Sequence, residues 1–159
     1  MEAISQDLEQ QIAVRHAVAA DLPFIYSAWL ESYGVNSPTT INIWKSVYYG
    51  EQRQVINAML RHPSVHHAMV VLADDPDVIV GFVIWQPSDS VVHYCYVKAA
   101  FRRMGVMREA FQRLEIDLNR TSFTHYTYIV SQLRPKWPKL AYNPYLLMRL
   151  TNGIPGSES

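Results

Sequence analysis

The fold is decided by the stretch from residue 96 to residue 111, which reads Tyr96-Val-Lys-Ala-Ala-Phe-Arg-Arg-Met-Gly-Val-Met-Arg-Glu-Ala-Phe111. Its first residues end a β-rich segment and its last residues begin an amphipathic helical pattern, so a strand passes into a helix through one basic turn. The start of a helix presents unpaired backbone N–H groups and the positive end of the helix dipole. Helix starts of this kind bind phosphate.

The turn carries the residue types that a phosphate site uses. Arg102, Arg103 and Arg108 supply positive charge, and Gly105 lets the backbone approach a ligand closely. A strand, a turn and a helix whose arginines are merely solvated would show the same short pattern. The stretch therefore predicts an anion site and leaves this simpler alternative open.

Hydrophobic periodicity on both sides of this stretch predicts one domain of alternating strands and helices, of α/β or α+β class. The predicted strands are Ile12–Val18, Ala68–Ala73, Val78–Gln86, Ser90–Lys98, Phe123–Val130 and Tyr145–Leu150. The predicted helical segments are a helix capped by Asp21, Thr39–His62 with a break near Gly50, Gly105–Arg120 and a short Trp137–Tyr142.

Length and composition narrow the class of protein. The 159 residues are 49% hydrophobic and 18% charged, which suits a single globular domain and excludes a disordered chain. We expect this domain to span residues 12–151, between a flexible tail at 1–11 and a disordered tail at 152–159. The longest apolar run, Val78–Trp85, is too short to cross a membrane.

Cysteine content and the N-terminal sequence bear on the compartment. The single cysteine, Cys95, excludes an intramolecular disulfide framework. The first eleven residues are acidic and lack the apolar centre of a signal peptide. A cytoplasmic protein is therefore expected.

Charge is distributed unevenly although the net charge is zero. Residues 1–90 carry four bases and ten acids, a balance of −6, whereas residues 91–159 carry ten bases and four acids, a balance of +6. The basic half would suit an anionic ligand, a nucleic acid or an anionic surface. A dipolar surface without a ligand would look the same.

The basic turn also resembles a known signature. Val97-Lys-Ala-Ala-Phe-Arg102-Arg-Met-Gly105-Val-Met107 is similar to the motif V-x-P-x-[YF]-R-G-x-G-x-[GA] of the GNAT N-acetyltransferases. Arg103 stands where a glycine is common, Met107 replaces a small residue, and Ala99 replaces a proline. Residues 15–25 look like the first strand and helix of that family, and residues 73–82 look like its central hairpin, whereas its terminal hairpin looks truncated here.

The resemblance implies a fold and a cofactor. The fold is a mixed central sheet, flanked by helices, in which two parallel strands splay apart around an acyl-CoA. The implied reaction transfers an acyl group, acetyl in the usual case, from acetyl-CoA to a primary amine of a small molecule or a protein. The residues implied to bind CoA are Val97, Arg102, Arg103, Met104, Gly105, Val106, Met107 and Arg108.

The resemblance also implies roles for a few titratable residues. Tyr142 is the first candidate to protonate the leaving thiolate and Tyr145 the second, although each could equally be a packing aromatic. His93 has the titration range of a base, with a packed strand histidine as the alternative. Cys95 would lie near the thioester, where the family needs no nucleophile and a small buried residue is expected.

An acceptor pocket and a metal site are the remaining questions for the sequence. The aromatic and amide residues in the region expected to admit the amine are Tyr33, Asn36, Trp44, Tyr48 and Tyr49, which ordinary core packing would also explain. No metal is predicted, because Pro63 separates His62 from His66 and His67, and no cysteine or carboxylate lies nearby in sequence.

Two other function classes compete with the acyltransferase. A non-catalytic CoA- or protein-binding module is favoured by Met107, by the short C-terminal region and by the absence of a glutamate in Ser90–Val97. A nucleic-acid-binding domain would use the basic half but lacks a recognition motif. The sequence leaves the oligomeric state open, a homodimer included.

Overall fold

The architecture is a single sheet with helices on both faces, seen in a computed structural model that describes residues 8, 10–35 and 37–151. The six strands are β1 (Ile12–His16), β2 (His66–Leu72), β3 (Ile79–Gln86), β4 (Val91–Val97), β5 (Ser122–Phe123) and β6 (Ala141–Tyr142). The helices are α1 (Leu22–Val35), α2 (Lys45–Arg61), α3 (Val106–Arg113), α4 (Tyr128–Leu133) and α5 (Leu146–Thr151). The predicted mixed sheet flanked by helices is confirmed.

Strand order follows chain order from β1 to β6, and the pairing changes once, from antiparallel to parallel. β1 to β4 form an antiparallel meander, whereas β5 runs parallel to β4 and β6 parallel to β5. Only two residue pairs join β4 to β5, namely Val91 with Ser122 and Val92 with Phe123. The parallel half of the sheet is therefore short and leaves most of β4 without a neighbour on that side.

Each face of the sheet has its own hydrophobic core. Alternation along β2 sends Ala68 and Val70 to one face and Met69 and Val71 to the other, as the twofold period of a strand requires. The first face is covered by α3 and α4, and the second by α1 and α2. All of the central strands are thus buried on both sides.

The two predicted tails lie mostly outside the described residues. In the N-terminal segment Leu8 is buried in the first core, and the Gln11 carbonyl accepts a hydrogen bond from the Ala73 amide. The packed region therefore begins before Ile12. Residues 152–159 lie outside the described residues altogether.

Two helix predictions were wrong in extent. α2 begins at Lys45 rather than Thr39 and continues through Gly50, because one glycine costs a helix only about 1 kcal/mol relative to alanine. α3 ends at Arg113 rather than Arg120. Glu115 takes a left-handed φ of 57°, and the Ile116 amide bonds back to the Phe111 carbonyl, which is a Schellman ending built without glycine.

The strand predictions beyond residue 122 were wrong in extent or type. The predicted strand Phe123–Val130 pairs only at Ser122–Phe123, because Thr127 accepts a hydrogen bond from the Val130 amide and caps α4. The predicted strand Tyr145–Leu150 is helix α5, and the predicted helix Trp137–Tyr142 gives way to β6. Aromatic and β-branched composition accounts for the error in Phe123–Val130, whereas Tyr145–Leu150 is rich in Leu and Met, which suit a helix as well.

Candidate functional site

β4 and β5 separate immediately after their two paired residues. The Thr124 amide donates to the Val92 carbonyl at 3.3 Å, and no later pairing joins the strands within the described residues. On the other side of β4, Ile84 pairs with Tyr94 but Trp85 pairs with Val92, so His93 is an inserted residue. A bulge of this kind bends a strand, and here it lies at the point where β4 diverges from β5.

The divergence opens a cleft of about 150 Å³. Its lining residues are Ser32, Tyr94, Cys95, Tyr96, Val97, Arg102, Thr127, Tyr128 and Ile129. β4 supplies one wall and the start of α4 the other. The predicted splayed strands are therefore present, and Val97 is among the residues that line the gap.

The basic turn at the mouth of this cleft has the backbone geometry of an anion site. Gly105 is exposed, has φ of 80° and is the N-cap of α3. Glu109 is the first residue of the helix whose amide has a partner, the Gly105 carbonyl at 3.1 Å. No described residue accepts a hydrogen bond from the amides of residues 103–108, so these N–H groups are available to an anion.

The three arginines of the turn are not equivalent. Arg102 folds back, so that its Nε donates to the Val97 carbonyl at 2.9 Å and its guanidinium lies 5.8 Å from the Tyr96 ring centre. Arg103 and Arg108 are exposed. Arg103 also has a left-handed φ of 64°, which explains why a glycine is common at this position in the signature that the turn resembles.

A second, larger cavity of about 490 Å³ lies beside the turn, between α3 and α4. Its walls are largely apolar and include Met107, Phe111, Leu133 and Trp137, with Arg108, Gln112, Asp117 and Lys136 as its polar residues. Ile129 lines both cavities. Met107, at the position where the signature has a small residue, therefore faces a cavity.

The predicted catalytic residues do not meet at the cleft. Tyr142, on β6, contacts the Tyr126 ring at 5.1 Å, and burial, followed by Tyr33, raises the pKa of its hydroxyl. Tyr145 is 73% exposed. Neither tyrosine is among the residues that line the cleft.

His93 is fully buried at the point where β4 and β5 separate, which is called the fork below. Its Nδ1 lies 3.0 Å from the Thr124 hydroxyl and its Nε2 lies 3.4 Å from Gln86 Oε1. Burial, and then the neighbouring His62, lowers the pKa of His93 to about 4. The imidazole is therefore neutral at pH 7.

His125 is the residue at the fork that the sequence interpretation missed. It is 2% exposed, its Nδ1 lies 3.0 Å from the Thr124 hydroxyl, and its Nε2 lies 2.9 Å from Gln52 Nε2 on α2. Burial lowers its pKa to about 3. A pairing across 73 residues leaves no local signal, so only the tertiary structure reveals it.

The residues in the region expected to admit the acceptor amine differ in burial. Tyr33 and Tyr48 are buried, and the Tyr48 hydroxyl donates to the Leu30 carbonyl. Trp44 is 81% exposed and Tyr49 is 38% exposed, while residue 36 lies outside the described residues. The two buried tyrosines are thus core residues, which was the alternative left open by the sequence.

Neither a metal site nor a membrane span is found in the described part of the chain. No three His, Cys, Asp or Glu side chains among residues 8, 10–35 and 37–151 come together as a group that could hold a metal ion. None of the described helices combines the length and the apolar character needed to cross a membrane.

Comparison with known families adds an independent finding. The model described as the acetyltransferase (GNAT) family matches residues 23–133. The match runs from the start of α1 to the end of α4 and includes the fork, the cleft and the basic turn. No curated protein matches the chain.

Several solved acetyltransferase structures are similar to parts of this chain at low sequence identity. A GCN5-related N-acetyltransferase from Kribbella flavida is 22% identical over 67% of this chain and 64% of its own, with a TM-score of 0.46. A Vibrio cholerae spermidine N-acetyltransferase in complex with CoA and spermine is 17% identical over 65% and 61%, with a TM-score of 0.41. A Salmonella typhimurium acetyl transferase that modifies the N-terminal serine of 50S ribosomal subunit protein L7/L12 is 13% identical over 67% and 63%, with a TM-score of 0.43. The chain spans less than two thirds of the length of each of these three proteins.

Proposed function

Because the chain belongs to the acetyltransferase (GNAT) family, we propose that it transfers an acyl group, acetyl in the first instance, from acyl-CoA to a primary amine. The observation that carries the proposal is the row of amides at residues 103–108, from which no described residue accepts a hydrogen bond. This row follows Arg102, which lines the cleft beside β4. An acyl-CoA has the two features that this arrangement suits, a pyrophosphate and a long narrow arm.

The residues at hand fit the parts of CoA. The amides of residues 103–108, with the charges of Arg103 and Arg108, would hold the pyrophosphate. The cleft along β4 to Val97 would take the pantetheine arm, after Arg102 leaves the Val97 carbonyl that it now occupies. The apolar cavity with Trp137, Arg108 and Lys136 would suit the adenosine end.

Acyl transfer makes one bond and breaks one. The amine nitrogen bonds to the thioester carbon, the C–S bond breaks, the amine loses a proton and the CoA thiolate gains one. Holding the two reactants together supplies most of the acceleration in such a reaction. In this proposal Tyr142 protonates the thiolate, with Tyr145 as the second candidate. The base candidate from the sequence, His93, is fully buried and does not line the cleft, so a water or another group at the cleft takes the proton of the amine. Burial raises the pKa of Tyr142, so its hydroxyl carries a proton at neutral pH.

The acceptor is proposed only as a class. A primary amine on a small molecule or a protein fits the family and the acidic balance of residues 1–90, which would attract a cationic amine. We also propose that the protein acts in the cytoplasm, as its single cysteine suggests.

The first experiment measures binding and turnover together. Acetyl-CoA and CoA should raise the melting temperature, since ligands that bind the native state stabilise it, and acetyl transfer should appear with at least one amine of a broad panel. No shift with either ligand at millimolar concentration would contradict the cofactor assignment.

A second experiment tests the tyrosine. Tyr142→Phe keeps the ring that contacts Tyr126 and removes only the hydroxyl, so turnover should fall by roughly 10²-fold with little change in CoA affinity. Tyr26→Phe, at a partly buried tyrosine of α1, is the matched control and should leave turnover unchanged. Equal turnover in Tyr142→Phe and the parent would move attention to Tyr145.

A non-catalytic CoA-binding module is the second candidate. It is favoured by one observation, namely that neither Tyr142 nor Tyr145 lines the cleft. A parent protein that is stabilised by CoA yet transfers no acetyl group to any amine of the panel would select it.

A further inference from the structure

Five buried polar side chains and one exposed carboxylate form a continuous row across the fork. In order they are Asp89, Gln86, His93, Thr124, His125 and Gln52, joined by contacts of 2.7, 3.4, 3.0, 3.0 and 2.9 Å. We propose that this row, called here the fork chain, is a hydrogen-bond chain of a single polarity that fixes the closed end of the cleft, with Thr124 as its central positioning residue. The part of this inference that concerns turnover rests on the proposed function.

The polarity follows from one carboxylate at the end of the row. Asp89 is exposed, and an ionised carboxylate only accepts hydrogen bonds, so the amide Nε2 of Gln86 must face it, as observed. The Oε1 of Gln86 then faces His93 and can only accept. His93 must therefore carry its proton on Nε2, which leaves its Nδ1 as an acceptor for the Thr124 hydroxyl.

The same reasoning fixes the second half of the row. The Thr124 hydroxyl has one proton, and this proton is given to His93. Its oxygen must then accept from His125, so His125 carries its proton on Nδ1. The bare Nε2 of His125 accepts from Gln52 Nε2, and every contact in the row is satisfied by neutral imidazoles in opposite tautomers.

The fork chain joins four elements at the place where β4 and β5 separate. Gln86 ends β3, His93 is the bulged residue of β4, Thr124 is the last residue whose amide bonds to β4, and Gln52 lies on α2. A single break would leave buried donors or acceptors unpaired on both sides, which is costly in an apolar interior. The fork chain thus favours one distance between β4 and β5.

The wall of the cleft is supported by the same group. The ring of Tyr94, which lines the cleft, lies 5.9 Å from the His125 ring and stacks on Trp29 at 5.2 Å. Tyr33 packs edge-on against His125 at 4.7 Å. Orienting His125 therefore also orients the aromatic residues behind the β4 wall.

The fork chain positions groups rather than conducting protons. Its two ends pass through the carboxamides of Gln86 and Gln52, which hold their protons firmly. In the assigned tautomers both nitrogens of His93 are engaged, so this residue offers no lone pair to an acceptor amine. His93 then acts as a positioning residue, and the base is a water or another group at the cleft.

The first test reads the tautomers directly. Long-range ¹H–¹⁵N correlation spectra of the full-length protein at pH 7 should show His93 protonated on Nε2 only and His125 on Nδ1 only. The opposite tautomer at either ring, or a doubly protonated ring at either position, would overturn the polarity.

A substitution of Gln52, the end of the fork chain on α2, tests the same tautomer assignment by replacing the hydrogen-bond donor to His125. Gln52→Glu replaces the terminal donor by an acceptor of nearly the same shape, so His125 should gain a second proton and show two N–H signals at pH 7. Gln52→Met, which offers no strong hydrogen bond, should leave one proton on Nδ1. A single Nε2 proton on His125 in Gln52→Glu would contradict the assignment.

The positioning role is tested at Thr124 with a matched pair. Thr124→Val keeps the shape and removes the hydroxyl, and should lower kcat about 10-fold with the KM for acetyl-CoA within about twofold. Thr124→Ser keeps the hydroxyl and should match the parent in kcat and in both tautomers. An unchanged kcat in Thr124→Val, or an equal loss in Thr124→Ser, would overturn the role. If the parent transfers no acetyl group, the proposed function fails, while the spectra still decide whether the chain exists.

Discussion

The two ends of β4 are built on opposite principles. At its closed end, the side chains of His93 and Thr124 are buried and hydrogen-bonded to each other. Beyond its open end, in the turn that follows Val97, no described residue accepts a hydrogen bond from the backbone N–H groups of residues 103–108. A satisfied buried group contributes to the stability of the fold, whereas an unsatisfied exposed donor is available to a ligand.

The difference predicts that changes at the closed end act on stability and its pH dependence, whereas changes at the turn act on ligand binding. One residue at the open end should break this rule. Gly81 pairs with Val97, and a Cβ at this position would lie 2.1 Å from the Tyr96 carbonyl oxygen. The close approach of two backbones there is structural, although it adjoins the cleft.

Gly81→Ala should therefore give the largest loss of stability. The clash is with backbone, which cannot rotate away, and we expect about 3 kcal/mol less unfolding free energy. Gly50→Ala is the matched control, because a Cβ there meets nothing within 4 Å on an exposed helix. That control should gain roughly 0.5–1 kcal/mol. Urea unfolding measures both, and a neutral Gly81→Ala would show that β3 and β4 can move apart.

Gly105→Glu is the strongest change at the turn. It places a side chain and a negative charge in front of the free amides, so the CoA dissociation constant should rise by roughly 10²-fold or more. Calorimetry measures the affinity, with Gly50→Glu as the control for added charge.

Any side chain at position 105 strains the left-handed backbone, and this loss of stability needs a separate control variant. Gly105→Ala has the same left-handed φ of 80° to satisfy without the charge, and its Cβ would meet only Leu8 Cδ2 at 3.8 Å. It should lose about 1–2 kcal/mol of stability and retain most of its CoA affinity. Unchanged affinity in Gly105→Glu would remove the pyrophosphate site from the turn.

The sequence predicted the open end better than the closed end. Strand, turn and helix are contiguous at residues 96–111, so hydrophobic period and glycine placement were enough to predict these three elements. The fork depends on contacts such as that between Gln52 and His125, which are distant in sequence. Thr124 and His125 look like ordinary members of a β-rich segment until the fold brings Gln52 and His93 to them.

The same contrast explains the errors in secondary structure. The meander from β1 to β4 has strands of five to eight residues, which are long enough to show a period of two. β5 and β6 have two residues each and show none. Two single residues set the helix boundaries in this part of the chain: Glu115, with its left-handed φ, ends α3, and Thr127 caps the start of α4. The hydrophobic period around them reveals neither effect.

Acidification should lower the stability of the protein through the buried histidines at the closed end of β4, His93 and His125. His93 and His125 have native pKa values of about 4 and about 3, below the value near 6.5 of an unfolded histidine. As pH falls from 6.5 towards 4, both histidines bind protons in the unfolded chain but stay neutral in the native protein. The unfolding free energy therefore falls by about 1.4 kcal/mol per histidine per pH unit. Stability is highest above pH 6.5 and is lost on acidification.

Urea unfolding between pH 7.5 and 4.5 measures this slope. His125→Gln should reduce the slope by about one proton. Asp21, whose pKa is lowered chiefly by its hydrogen bond to Arg15, loses its contribution only below its ordinary pKa, outside this window. A slope equal in the parent and in His125→Gln would contradict the burial of a neutral imidazole at the fork.

The smallest effect should come from Arg103→Gly. Arg103 takes a left-handed φ of 64° in the turn, which costs a non-glycine residue roughly 1–2 kcal/mol, while a glycine costs about 0.5–1 kcal/mol more in the unfolded chain. The net gain in stability should therefore be below about 1 kcal/mol. Loss of the exposed charge should weaken CoA binding only about two- to threefold at low salt and not at high salt.

Glu115→Gly separates these two effects. Glu115 has a similar left-handed φ of 57° but ends α3 rather than beginning it, so this variant should gain the same small stability and leave CoA affinity unchanged. Melting curves and calorimetry at two salt concentrations give the comparison. If Arg103→Gly weakened CoA binding tenfold at high salt, Arg103 would be a direct ligand, and the open end would depend on a side chain as much as on its backbone amides.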